Sequence, residues 1–172
     1  SLTALREGLQ GWSVAPGWAE RTARARTELD SFITARTSPD GAWPPSYAHV
    51  IGAVQAAARP QDYVLTAAGG LPGELNINWR SQGIAGFDCE YGFSCMGYET
   101  AGAWGAAFAR ALSHPDGEVF ALVGDGSYLM LNSEIATSVM LGRKLIVVVL
   151  DNRGYGCINR LQQAVGGVPF NN

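Results

Sequence analysis

Two short polar segments carry the chemistry of this chain. Gly124-Asp125-Gly126-Ser127 closes an apolar run, Val119-Phe120-Ala121-Leu122-Val123, and Asp151-Asn152-Arg153-Gly154 closes a second, Leu145-Ile146-Val147-Val148-Val149-Leu150. A carboxylate at Asp125, an amide oxygen at Asn152 and a backbone carbonyl at Gly154 are hard oxygen donors. Magnesium takes such donors when it shares its shell with substrate phosphates, and two phosphate oxygens and a water would complete an octahedron. Gly124 and Gly126 remove side chains where the backbone turns toward an anion. The amides of Gly126, Ser127 and Tyr128, at the start of a helix, are then placed to face phosphate oxygens. Asp125 repels a phosphate directly, so a cation must lie between them.

Two other readings compete. Gly124-Asp125-Gly126 is also the first half of a dinucleotide-binding G-x-G-x-x-G, with Asp151 near the place of a ribose-binding acid. Position 129 is Leu where that motif needs Gly, and an Asp in the phosphate turn suits a pyrophosphate poorly without metal. A plain tight turn between strand and helix explains Gly-Asp-Gly by itself. The apolar strand before it and the Asn-x-Gly after the next strand favour metal and diphosphate over both.

The elements that must position these groups read as alternating strands and helices. Gly17 to Arg36 has the spacing of an amphipathic helix through Leu29, Phe32 and Ile33, and Thr37 to Pro45 is a loop. A helix opens at Pro45 or Ser46 and runs to about Arg59, where Pro60 stops it. Asp62 to Ala67 reads as a strand, Gly69 to Gly73 as the turn after it, and Ile84 to Phe87 as a short second strand. Gly97 to Leu112 reads as a helix with Ala101, Trp104, Ala107, Phe108 and Ala111 on one face. His114 to Gly117 is a turn before the Val119 strand. Tyr128 to Leu141 is a further helix, with Gly142 as its C′ residue. The pattern predicts an α/β fold: a parallel sheet with right-handed crossovers and helices on both faces, and ligands at the carboxyl ends of its strands.

Composition narrows the function classes. Of 172 residues, 47% are apolar and 16% charged, as in a globular domain with a largely buried sheet. A net charge of -3 with no Lys/Arg run gives no reason to expect nucleic acid. No apolar stretch approaches a membrane span, and no signal-peptide pattern opens the chain. Cys89, Cys95 and Cys157 show no pairing pattern, which predicts free thiols and a cytoplasmic setting. The start at Ser1 and the end at Asn172, just past a ligand loop, suggest a fragment.

Gly124-Asp125-Gly126-Ser127 followed across a crossover by Asp151-Asn152 resembles the signature of thiamine diphosphate enzymes. Longer strings resemble the branch of that superfamily that hydrolyses a cyclic diketone, trihydroxycyclohexane-1,2-dione, in inositol catabolism. These are Thr66 to Gly73, Glu90 to Glu99, Gly124 to Glu134, and Asp151 to Gln162. The resemblance implies a diphosphate-binding domain over 45–172, cut short at its C-terminus, with 1–44 a linker or helical tail of a preceding domain. It implies thiamine diphosphate and Mg2+ as cofactors, with Asp125, Asn152 and the Gly154 carbonyl as metal ligands. It matches Gly124, Gly126, Ser127, Gly69 and Gly70 to the diphosphate site and Met96 to a bulky apolar residue that bends the cofactor.

The implied chemistry is attack of a cofactor ylide on a carbonyl and cleavage of a C–C bond. The activating Glu would sit on a pyrimidine-binding domain of the same protein, from a second subunit of a homo-oligomer. That domain has no counterpart here, so the chain alone should be inactive on its small-molecule substrate. An acetolactate synthase-like carboligase or decarboxylase is one alternative. A non-catalytic nucleotide- or metal-binding subunit is another.

Other residues take plainer readings. Cys95 and Cys157 serve as small apolar filler. His49, on a helix, and His114, in a turn, are structural or solvated. Glu99 and Glu134 fall near helix starts, where the dipole favours a carboxylate. Tyr98 and Tyr155 either face substrate or pack, and Tyr155 is counted with the cofactor-binding set.

Overall fold

Every strand of the sheet runs in the same direction, so all four carboxyl ends meet at one edge. The structure, a computed structural model, describes residues 1–168, 170 and 172. Its contacts divide the chain into two units, Ser1–Arg36 and Thr37–Asn172. The first holds α1 (Leu2–Gly8) and most of α2 (Trp18–Thr37). Ser1 caps α1 by accepting the Ala4 amide, and Arg26 pairs with Asp30 one turn on at 2.9 Å. Leu29 and Phe32, two of the three residues with helical spacing, are exposed.

The second unit runs α3 (Tyr47–Ala57), β1 (Tyr63–Thr66), α4 (Leu71–Asn78), β2 (Phe87–Cys89), α5 (Tyr98–Arg110), β3 (Val119–Gly124), α6 (Asp125–Leu131), α7 (Glu134–Met140), β4 (Ile146–Leu150) and α8 (Gly156–Ala164). The sheet order is β2-β1-β3-β4, parallel throughout. Strand side chains alternate between faces, and the packing follows that alternation. Val64, Phe120, Leu122 and Leu150 meet Ile51 and Val54 of α3 and Leu71 and Leu75 of α4. On the other face Val119 and Ala121 meet Ala103, Ala106 and Ala107 of α5. Helices therefore cover both faces, and β3 is buried from Val119 to Val123. Among the described residues no helix is long and apolar enough to cross a membrane.

The amino edge is fastened by one carboxylate. Asp62 accepts the Glu118 amide at 2.8 Å, the Arg59 amide at 2.8 Å and the Arg59 guanidinium at 2.9 Å, which ties the start of β1 to that of β3. Burial pushes this carboxyl up, but the Arg59 side chain and the two amides outweigh it and hold it below the usual range.

Several elements differ from their sequence reading. Leu71 to Gly73, read as turn, is the first turn of α4, because Pro72 is tolerated there and Leu71 and Leu75 bury against the sheet. The second strand lies at Phe87–Cys89 rather than 84–87, since Phe87 pairs with Val64. The helix read over 128–141 is two, α6 beginning already at Asp125 and a break falling at Asn132-Ser133. Gly142 does take a left-handed φ of 62° after α7. On α5 the face toward the sheet is Ala103, Ala106 and Ala107. Trp104 and Phe108 instead form an edge-to-face pair, with Trp104 donating to Glu134 at the start of α7 at 2.9 Å. Gly102 leaves room for the Tyr98 ring, 2.9 Å from where a Cβ would stand. Helices α1 and α8 were not read from sequence.

Candidate functional site

A parallel sheet opens a crevice where two neighbouring strands send their connections in opposite directions. Here β1 leads outward to β2 and β3 leads outward to β4, so the crevice falls between β1 and β3. A cavity of about 350 Å3 lies at their carboxyl ends. Gly69 and Gly70 enter it from the turn after β1, Met96 from the approach to α5, Gly124 from the end of β3, and Asp125, Gly126 and Ser127 from the first turn of α6. Gly154 and Tyr155 enter from the loop after β4. Nine of the ten site residues expected from sequence therefore line one cavity. Asn152 is the tenth: it borders a neighbouring cavity that Tyr47 also lines.

The register explains the meeting. Gly124 pairs with Leu150, so Asp125 and the 151–154 loop leave the sheet at the same level. The Asp125 Oδ2 accepts the Gly154 amide at 2.7 Å, and Gly154 adopts φ 142°, which favours glycine. Asp151 holds the same loop by accepting the Arg153 amide at 2.8 Å. The Asn152 amide nitrogen donates to the Tyr47 hydroxyl at 2.6 Å, which leaves its oxygen as the atom available to a cation.

Two observations fit a metal-bridged diphosphate. Asp125 Oδ1 is buried and has no hydrogen-bond partner, as expected of an oxygen reserved for a cation. Gly126 provides clearance: a Cβ there would stand 2.6 Å from the Tyr155 ring and 3.5 Å from the Met96 methyl. A side chain is thus excluded at Gly126, in the first turn of α6 beside the cavity. Among the described residues no three His, Cys, Asp or Glu side chains form a metal cluster. The expected set contains one carboxylate, an amide and a carbonyl, so it is not of that kind.

The sequence matches the family described as "Thiamine pyrophosphate enzyme, C-terminal TPP binding domain" over residues 67–172. The chain belongs to this thiamine pyrophosphate enzyme family. Three curated relatives share the name 3D-(3,5/4)-trihydroxycyclohexane-1,2-dione hydrolase. Those of Geobacillus thermodenitrificans and Bacillus licheniformis are 46% identical, over 121 and 118 residues. That of Bacillus thuringiensis is 47% identical over 121 residues. Each match covers 69 or 70% of this chain and 18% of the relative, so the chain spans about a fifth of their length. Benzoylformate decarboxylase from Polynucleobacter necessarius shares the fold, with a TM-score of 0.70 over 80% of this chain and 26% of that one, at 20% identity.

Sequence reading of this thiamine pyrophosphate-binding domain missed three contributors. Tyr47 reaches the site from α3, and no local signal marks it. Arg160 of α8 packs its guanidinium against Gly70, where a Cβ would clash with it. Glu99, read as a dipole partner, is fully buried behind the cavity. Glu134 keeps the first-turn position expected of it. The three cysteines are free, as expected, but Cys95 is exposed rather than packed. His49 sits on α3 3.6 Å from Asp40, and His114 lies in its turn beside Ser113.

Proposed function

We propose that residues 45–172 form the diphosphate-binding domain of a thiamine diphosphate- and Mg2+-dependent enzyme that hydrolyses a C–C bond in a cyclic 1,2-diketone. The single observation that carries the metal assignment is the buried, unpartnered Asp125 Oδ1 at the edge of a glycine-lined cavity. The relatives' shared name supports the substrate class.

In this reading Asp125, Asn152 and the Gly154 carbonyl hold the metal. Gly124, Gly126 and Ser127, with the Gly69-Gly70 turn, hold the diphosphate through backbone amides. Met96 and Tyr155 supply apolar surface for the cofactor's rings. When bound, thiamine diphosphate supplies a carbanion centre and an electron sink for cleavage beside a carbonyl. The chain's own residues bind and orient that group; the proton-moving Glu belongs to a pyrimidine-binding domain of the same protein, from a second subunit of a cytoplasmic homo-oligomer. Residues 1–44 are an interdomain linker or the helical tail of a preceding domain.

Calorimetry of the intact protein against thiamine diphosphate with and without Mg2+, and against NAD and ATP, tests the reading. Magnesium-dependent binding of thiamine diphosphate alone is expected. Tight binding of NAD or ATP in its place would reject it. Turnover by residues 1–172 in isolation would reject the division of the site between domains.

A further inference from the structure

Glu99 is completely buried, and the functional reading gives it no task. Its Oε1 accepts the Ala68 amide at 3.2 Å. Its Oε2 accepts the Gly97 amide at 3.2 Å and the Ser127 hydroxyl at 2.7 Å. The Ser127 oxygen in turn accepts the Gly97 amide at 2.7 Å. Three segments far apart in sequence therefore converge on one carboxylate: the turn after β1, the entry to α5 and the first turn of α6. Ala68 and Ser127 line the cavity themselves, and Gly97 follows Met96, which does.

A helix-start role accounts for Gly97, the N-cap of α5, but not for the burial or for Ala68 and Ser127 as partners. A carboxylate near a helix start is favoured while exposed to water, whereas a buried one must have its lone pairs occupied. Here two amides and a hydroxyl occupy them, all from segments that border the cavity. The Ser127 hydroxyl is also committed inward, its proton to Glu99 and its oxygen to Gly97, so its backbone amide is what remains for a ligand. Gly97 is held in place independently: its φ is 93°, and a Cβ there would stand 3.0 Å from that of Leu131.

We propose that Glu99 is a positioning residue, the buried acceptor that locks the Ala68 turn, the Gly97 corner and Ser127 into one binding geometry for the cofactor's diphosphate. The ligand's identity rests on the functional reading above; the clamp itself does not. Glu99→Gln keeps the side chain's size but turns an N–H toward a donor that the carboxylate oxygen accepted. Ser127→Ala removes one partner and leaves the carboxylate.

The test uses the intact protein in two measurements, thiamine diphosphate affinity with Mg2+ by calorimetry and amide hydrogen exchange. Glu99→Gln should weaken affinity about tenfold or more, the equivalent of ~1.4 kcal/mol. Ser127→Ala should act in the same direction by a smaller factor. In both, exchange should accelerate at Ala68 and Gly97, while amides of the Leu122 and Ile51 core stay protected. Unchanged affinity and exchange in Ser127→Ala would overturn the clamp even if Glu99→Gln fails to fold. So would exchange that rises uniformly through the sheet, which marks Glu99 as ordinary core. A parent protein that does not bind thiamine diphosphate would reject the functional reading, while exchange at Ala68 and Gly97 would still decide the clamp.

Discussion

The Asp125 carboxylate accepts the amide of Gly154 at 2.7 Å, so the start of α6 and the loop after β4 are joined by a charge-assisted hydrogen bond. One oxygen of the carboxylate is spent on that bond and the other is left buried and unpartnered. This division predicts different outcomes for two substitutions. Asp125→Ala should abolish magnesium-dependent cofactor binding and loosen the 151–154 loop. Asp125→Asn, which can keep an oxygen on Gly154, should retain the loop and still lose the magnesium dependence, because a neutral amide replaces the anionic ligand. Titration of cofactor with and without Mg2+ checks both; an Asn variant as magnesium-dependent as the parent would remove Asp125 from the metal site.

Tyr47 anchors the Asn152 amide, whose nitrogen donates to its hydroxyl. Tyr47→Phe deletes the 2.6 Å hydrogen bond and lets that amide rotate. Magnesium affinity should fall about fivefold to tenfold, the value of one ordinary hydrogen bond near 1 kcal/mol. Metal titration at fixed cofactor measures it, and no change would mean that Asn152 is oriented by other groups.

At Gly126 a methyl would stand 2.6 Å from the Tyr155 ring. Gly126→Ala should displace that ring into the cavity and weaken cofactor binding by about an order of magnitude, since overpacking typically costs about 1–3 kcal/mol. In a Tyr155→Ala background, where that space is vacant, Gly126→Ala should cost clearly less than it does in the parent. If it costs as much in both backgrounds, the clash is not the cause.

Asp62 gives a pH-dependent prediction away from the site. Its folded carboxyl lies below the usual value, despite burial, because Arg59 and two amides hold the charged form. A depressed folded pKa contributes stability above the unfolded value, near about 3.9, and that stability is lost as pH falls through the folded one. Asp62→Asn should therefore destabilise the protein by about 2 kcal/mol at neutral pH. Parent and variant should converge as the solution is acidified below the unfolded value. Thermal unfolding across that range checks the sign; a gap that widened in acid would contradict it.

The strands that carry the site were legible because their signals are local. Val119 to Val123 is a continuous apolar run stopped by glycine, and burial on both faces needs just that pattern. Boundaries failed where packing overrode local preference. Gly69 to Gly73 contains three glycines and a proline, yet Leu71 and Leu75 gain enough from the sheet to make a helix of its second half. The Gly97 to Leu112 helix was found, but only the structure shows which face meets the sheet: Ala103, Ala106 and Ala107 pack on Val119 and Ala121.

The sequence by itself determined that Asp125 and Asn152 leave adjacent parallel strands, and that glycines flank the first. Both follow from residue types within a few positions of each other. Only the tertiary structure decided that Tyr47 anchors Asn152, that one Asp125 oxygen has no partner, and that Glu99 gathers Ala68, Gly97 and Ser127. Those relationships join atoms distant along the chain, and a hydrogen bond depends on where folding brings donor and acceptor, which no local pattern records.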